Sequence, residues 1–307
     1  MRFVSLEGLT SYEAARELQL KLVELRAADQ IPDTILFLEH EPVITRGRGL
    51  QWTGTPRPRH MPAPALLPQG MAFAESERGG DLTYHGPGQL VIYPVVKMDG
   101  KGFAPHHDVA GFLRELEKLL IEEFRSWGFE PEARENATGV WINGKKIASI
   151  GIAIRKWVTY HGVAINCVND LKPFHLISPC GFSPDVMARL VDLLAEKNGG
   201  KPMAGWDGQG WRVALENRLA RRFLARAKAG AAPGGDASQP ETVDELEVRI
   251  DRMDCEDALE RATKRLMARA PGSEGVVPGL ASQPVSPRGP AEWIAATAVF
   301  DQPRPIF

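Results

Sequence analysis

Through its first 228 residues the chain alternates between two kinds of apolar spacing, one helical and one extended. After a short strand-like opening, Tyr12, Ala15, Leu18, Leu22 and Leu25 recur every three or four residues and predict an amphipathic helix. Thr10 and Glu13 fit a T-x-x-E capping box at its start. TILFLEH (Thr34 to His40) predicts a buried strand, and EPVITRGRG a second extended piece ending in a turn. Residues 50 to 70 are proline-rich and predict a long surface loop. MAFAESE predicts a strand feeding the stretch RGGDLTYHGPGQ, Arg78 to Gln89, and the run LVIYPVV leaves it. From His106 to Trp127 the helical period returns, with Val109, Phe112, Leu116, Leu120 and Phe124 on one face and Gly128 as C-cap.

Three extended segments follow: Gly139 to Gly144, Lys145 to Trp157 and Val158 to Val168, with Asn143-Gly144 as a hairpin turn. LKPFHLISPCGF reads as irregular. SPDVMARLVDLLAEK predicts a helix capped by Ser183, and Trp211 to Lys228 another. From Ala229 small residues, glycine and proline mark a linker. Asp244 to Ala270 predicts one charged helix with Leu246, Ile250, Met253, Leu259, Ala262 and Leu266 on its apolar stripe. The remainder to Phe307 has the composition of a segment without stable structure. The expected division is therefore residues 1–228 as one α/β domain and 229–307 as an extension.

Composition narrows the classes. The chain has 307 residues, 43% hydrophobic and 25% charged, with a formal net charge of −2, values of a soluble globular protein rather than one that coats nucleic acid. No run has the length of a membrane span. MRFVSLEGLTSYEAA lacks the basic start and apolar core of a secretion signal, so the expected setting is cytoplasmic. Cys167, Cys180 and Cys255 form neither a disulfide framework nor a CxxC metal pair. From Pro42 through Ala74 there is no acidic residue, while Arg46, Arg48, Arg57, Arg59 and His60 fall there, a candidate docking surface for an acidic partner.

The candidate chemistry sits in a few places. In Arg78 to Gln89, two glycine turns let a ligand lie against bare backbone, with Arg78 and His85 at the rim. Cys167 lies inside an alternating strand as a small buried hydrophobe, and Cys255 on the charged C-terminal helix. Cys180, in a Ser-Pro-Cys-Gly segment ahead of an expected helix start, is the candidate nucleophile. A thiol with pKa about 8.5 needs a base or a cation to be mostly thiolate at neutral pH. Lowering that pKa by about two units takes roughly 2.7 kcal/mol, which one ammonium can supply in a partly desolvated pocket. Lys145 and Lys146 head an apolar strand and point to opposite faces, so only one can serve; His85 and His161 are the other candidates for the base.

RGGDLTYHGPGQ, GKKIASIGIAI, HGVAINC and SPCG, in that order and after LEHEPVITRGR, resemble the lipoyl(octanoyl) transferases over roughly residues 5 to 225. The resemblance implies the fold of biotin and lipoate ligases: a mixed sheet plus a small second sheet, flanked by helices. It implies transfer of an octanoyl group from octanoyl-acyl carrier protein to a lysine of lipoyl domains, those of 2-oxoacid dehydrogenase E2 subunits and the glycine cleavage H protein. No cofactor, metal, nucleic acid or membrane is implied. Cys180 would form the acyl thioester and Lys146 would lower its pKa. Arg78, Gly79, Gly80 and Asp81, with Leu82, Thr83, Tyr84 and His85, would line the acyl pocket. Ser149, Ile150 and Gly151 would join them, as would Gly162, Val163 and Ala164. The oxyanion donors are left between the Gly79–Gly80 amides and that of Cys180, and Ile150, Ile152, Val163 and Ile165 are expected as apolar walls. The nearest rival is an ATP-dependent lipoate or biotin ligase of the same fold. The extension after residue 229 lies outside the resemblance and is expected to be dispensable.

Overall fold

The computed structural model describes residues 1–49, 67–135, 137–177, 183–201, 206, 210–231, 243, 246–268 and 294–295. At its centre is a mixed sheet. Its strand order is β11 (Ile250–Met253), β1 (Arg2–Thr10), β2 (Thr34–His40), β6 (Gln89–Val95), β10 (Val158–Asn166), β9 (Lys145–Arg155), β8 (Gly139–Ile142) and β7 (Pro131–Glu132). A short β12 (Ile294–Ala295) also pairs with β9. A separate sheet is built from β3 (Val43–Arg46), flanked by β4 (Ala72–Glu75) and β5 (Leu82–His85).

Alternation along the strands sends apolar side chains to both faces, so each face needs a helical cover. On one face Phe3, Phe37, Ile92, Ile152 and Ile165 pack with α2 (Val109–Ser126), α3 (Leu190–Lys197) and α4 (Gly210–Ala231). On the other, Leu6, Leu38, Val91, Ala153 and Ala164 pack with α1 (Tyr12–Ala27) and α5 (Cys255–Met267). A third cluster of Ile44, Leu82, Tyr84, Phe174, Ile177 and Met187 seats the small sheet. The expected fold class, a mixed sheet and a small second sheet flanked by helices, is what the chain adopts.

Several local expectations hold. The α2 helix ends where expected, with Gly128 just past its C-cap Trp127 at φ +77°, though it begins at Val109 rather than His106, capped by the Asp108 carboxylate accepting the Gly111 N–H at 2.8 Å. Asn143 and Gly144 both take positive φ (51° and 74°), as a two-residue hairpin of the primed type requires.

Others are corrected. Ser11 rather than Thr10 caps α1, its hydroxyl accepting the Ala14 N–H at 3.2 Å; Thr10 is still in β1, paired with His40. Arg78 to Gln89 is not one loop, since Leu82–His85 is itself a strand. Ser183 caps only a short 3-10 turn, Pro184–Val186, and α3 begins at Leu190, because Met187 is extended and bridged to Lys146. The span from Asp244 to Ala270 is not one helix. Its first part forms β11, parallel to the free edge of β1, and Asp254 then caps α5 by accepting the Asp257 N–H at 2.8 Å. Residues 50–66, the linker from 232 to 242 and most of the tail lie outside the described residues. Among the described residues no helix is long and apolar enough to cross a membrane.

Candidate active site

The turn between β4 and β5 is locked to the end of β3. Gly47, Arg48 and Gly49 donate their N–H groups to the carbonyls of Asp81, Arg78 and Gly80 at 3.2, 2.9 and 3.1 Å. A Cβ on Gly47 would stand 2.4 Å from the Gly80 oxygen, so the RGRG glycines are needed for this contact. The buried Arg78 guanidinium donates to the Thr45 carbonyl (2.9 Å), the Thr45 hydroxyl (2.8 Å) and the Gly79 carbonyl (3.1 Å). Asp81 accepts the Leu82 N–H at 2.6 Å. The eight residues expected to line one pocket therefore divide. Leu82 and Tyr84 point into the small-sheet core, Tyr84 edge-on to Phe174, while Thr83 and His85 alternate to the other side.

This turn docks on β9. Gly79 donates its N–H to the Ile152 carbonyl at 2.9 Å, and a Cβ on Gly151 would lie 2.8 Å from the Gly79 oxygen. Gly162 pairs with Gly151 and Ala164 with Ser149. Arg78 and Gly79 thus lie against Gly151, and strand pairing sets Ser149–Gly151 beside Gly162–Ala164. Gly151 faces the turn, whereas Gly162 faces the Ile92 carbonyl and Pro94; Ile150, Ile152, Val163 and Ile165 face neither, because alternation buries them in the main core beneath α2 and α4. Since the Gly79 amide is committed to Ile152, only Gly80 of the glycine pair keeps an N–H without a partner among the described residues.

Pro94, inside β6, has no N–H to give, and β10 leaves the ladder opposite it. Thr159 patches the gap by donating its hydroxyl to the Pro94 carbonyl at 2.7 Å. His161 adopts φ +57°, and its N–H is taken by the Gln19 side-chain oxygen from α1 at 2.6 Å. The kink brings the His161 ring over Tyr12, with planes 1° apart, and its Nε2 to 3.3 Å from a Glu77 oxygen. Arg16 holds Glu77 from the other side with Nε at 2.9 and 3.0 Å. Burial opposes the charge of Glu77, but the His161 and Arg16 contacts keep its carboxyl far below the usual carboxylate range.

Three histidines meet here, and their partners distinguish them. His40 donates from Nδ1 to the Thr10 carbonyl at 2.9 Å and accepts the Tyr93 hydroxyl at Nε2, 2.7 Å away. Both ring nitrogens are spent, and burial lowers its pKa to about 4. His161 is also lowered by burial, against the pull of Glu77. His85 has Nδ1 2.7 Å from the Gln89 oxygen, and burial holds it well below the ordinary histidine value. Among the described residues no group of His, Cys, Asp and Glu is arranged to hold a metal.

Lys146 is 4% exposed, and among the described residues its ammonium has no hydrogen-bond partner; its Nζ lies 5.6 Å from the Trp141 ring centroid. Its stem crosses Gly139, where a Cβ would stand 2.9 Å from the lysine Cε and 2.2 Å from the Ala148 oxygen. Gly139 has φ +138°, was not singled out from the sequence, and carries no sequence signal beyond being a glycine two residues before Trp141. Cys180 lies outside the described residues, but both flanks of its segment are fixed. Ile177 and Met187 share the small-sheet cluster, and Ala188 donates its N–H to the Lys146 carbonyl at 3.1 Å. Behind Cys180 the described residues hold only the 3-10 turn Pro184–Val186 before α3 begins at Leu190. Cys167 is buried with its thiol pushed far up by burial, and burial raises Cys255 to about 11.

The chain matches the lipoyl protein ligase A/B catalytic domain over residues 11–199, more than half its length, and it belongs to that family. Lipoate-protein ligase A, solved with ATP bound, has the same fold, with a TM-score of 0.55 and 15% identity over 88% of this chain and 95% of that one. Within the family the similarity is to octanoyltransferases. That of Geobacter metallireducens is 42% identical over 57% of this chain and 75% of its own length. That of Dictyoglomus thermophilum is 41% identical over 62% and 76%.

Proposed function

We propose that the chain is an octanoyltransferase of lipoate biosynthesis. It takes the acyl group from octanoyl-acyl carrier protein, carries it as a thioester on Cys180 and passes it to a lysine of a lipoyl domain. The observation that carries the mechanism is Lys146. A lysine side chain this little exposed, with no hydrogen-bond partner among the described residues, is favoured by an anion beside its ammonium. The segment Ser178 to Phe182, whose flanks are held at Lys146 and in the adjoining cluster, contains one ionisable group, Cys180. Cys180 is three residues from Ile177, about 10 Å of extended chain at most.

In the first half-reaction the Cys180 thiolate attacks the donor thioester carbonyl. A carbon–sulfur bond forms as the donor's breaks, and the electron pair leaves on the carrier thiol. Exchange of one thioester for another is nearly isoenergetic, so the step needs no nucleotide. In the second, the neutral amine of the acceptor lysine attacks. A carbon–nitrogen bond forms, the bond to Cys180 breaks, sulfur leaves as thiolate and the nitrogen gives up one proton. The Gly80 N–H is the donor at hand for the oxyanion. A thiol that must stay reduced to react supports a reducing, cytoplasmic setting.

Intact-mass spectrometry with octanoyl-acyl carrier protein and no ATP checks the reading. The wild type gains one octanoyl group, Cys180→Ser gains none, and Lys146→Ala acylates about 100-fold more slowly. Absence of the adduct together with ATP-dependent attachment of free octanoate would make the protein a ligase instead.

A further inference from the structure

A bulge in β9 decides which face of the sheet Lys146 occupies. Val140 of β8 pairs with Ala148 but the next residue, Trp141, pairs with Lys146, so Ile147 is the extra residue. Ile147 and Ala148 both pack in the main core, as do Ile150 and Ile152. In an unbroken strand Lys146 would share that core face with Ala148. The bulge turns it to the opposite face, that of Ser149 and Gly151, where the Arg78 turn packs against Gly151. The lysine stem accordingly runs over Gly139, the partner of Ser149, and its Nζ comes to 5.6 Å from the ring centroid of Trp141. Trp141 is 1% exposed, and its indole N–H donates to the Ala137 carbonyl at 3.2 Å, so the ring is fixed. The described charges around the pair have partners of their own. Arg134 also stands over the ring, 4.1 Å from its centroid, but donates to Glu132 at 2.9 and 2.7 Å. The buried Glu117 carboxylate accepts the Gly139 N–H at 3.1 Å and an Arg114 N–H at 2.6 Å. Lys145 donates to the Asp185 carbonyl at 2.7 Å.

We propose that Trp141 is a positioning residue, whose ring holds the Lys146 ammonium on the Ser149 and Gly151 side of β9. An aromatic face attracts a cation within about 6 Å of its centroid, and the attraction grows where water is excluded. It stands in for the hydrogen bonds that the ammonium lacks among the described residues. The proposal rests on the transferase reading only for what the ammonium does from that place, which is to favour the Cys180 thiolate. A phenyl ring presents the same kind of face and leucine presents none. Phenylalanine and leucine both lose bulk and the indole N–H, so the ring face is what distinguishes them.

Proton–carbon correlation spectra of the full chain, with lysine labelled at Cε and the Lys146 signal assigned by its loss in Lys146→Arg, read the placement directly. In the wild type the ring current of Trp141 should displace the Lys146 ε-protons from the ordinary lysine position. The displacement should vanish in Trp141→Leu and persist in Trp141→Phe. The consequence is read from the pH dependence of iodoacetamide alkylation at Cys180, resolved from Cys167 and Cys255 by peptide mass spectrometry. Trp141→Leu should move the midpoint up by about one pH unit and slow octanoyl adduct formation below the wild-type midpoint about tenfold, with Trp141→Phe near wild type. An undisplaced Lys146 signal in the wild type overturns the proposal without reference to any variant. So does an unmoved thiol midpoint in Trp141→Leu once its lysine signal has shifted. A wild type that never forms the adduct overturns the transferase reading, while the spectrum still decides where the ammonium lies.

Discussion

His40, His85 and His161 share one aromatic cluster, and all three are depressed by burial. In the unfolded chain each regains a pKa near 6.5. Above that value both states are neutral and the cluster costs nothing in proton uptake. As pH falls through 6.5 toward about 4, the His40 value, the unfolded chain binds protons that the fold refuses, so stability drops. Glu77, held low in the fold, adds to the loss in the same direction at more acid pH. The melting temperature should therefore fall steadily from pH 7 to pH 4. A flat profile by differential scanning calorimetry over that range would show that the cluster is open to water. At this scale Lys146 and Cys180 were legible as residue types at recognisable motif positions. The orientation of Gln89 against His85 was not, because it depends on Asn166, which lies 77 positions from Gln89 in the chain.

Among the elements, the strand pair β8–β9 carries the lysine and the glycine beneath it. Gly139→Ala places a methyl against the Ala148 carbonyl at a backbone angle that favours glycine. The expected cost is about 1–3 kcal/mol of stability, and Cys180 acylation should fall because the lysine stem must move off its track. Denaturant unfolding and the intact-mass assay check both. Unchanged values in the two assays would mean that the lysine arm does not run over this glycine. The strands β2, β9 and β10 were readable because their apolar content and the Asn143-Gly144 turn agree locally. β11 was misread as helix because Leu246, Ile250 and Met253 step by four and three. A period alone cannot report that the neighbouring edge of β1 is open to receive a strand.

Across the whole molecule, β11 links the extension to the site through buried charge. Arg252 donates to Glu216 at 2.7 Å, Arg212 to Glu216 at 2.8 Å and to Glu39 at 3.1 Å, and Glu39 accepts the Gly88 N–H at 2.6 Å. Gly88 stands next to Gln89, the partner of His85. A chain ending before Leu246 would also uncover the β1 edge and the α1 face on which Ala258 and Ala262 pack. Its melting temperature should drop and its tendency to associate should rise, as an open strand edge invites pairing. Arg252→Ala alone should cost about 1–3 kcal/mol. A truncated chain that melts and scatters light like the full one would return the extension to the dispensable tail that its composition suggests.

By itself the sequence determined the family and most of the long helices and strands of the first 228 residues, because periodicity and motif are local properties of the chain, while the start of α3 and the strand within Arg78 to Gln89 escaped it. Tertiary structure alone decided how the reactive groups are served. Pro94 breaks a ladder and thereby throws His161 toward Glu77, and Gly47 and Gly139 are glycines because another backbone or a lysine passes within van der Waals reach. Strand alternation sends Ile150 and Val163 away from the turn that covers Gly151. Each of these depends on which atoms meet across long separations, and close packing admits such contacts only in the assembled fold.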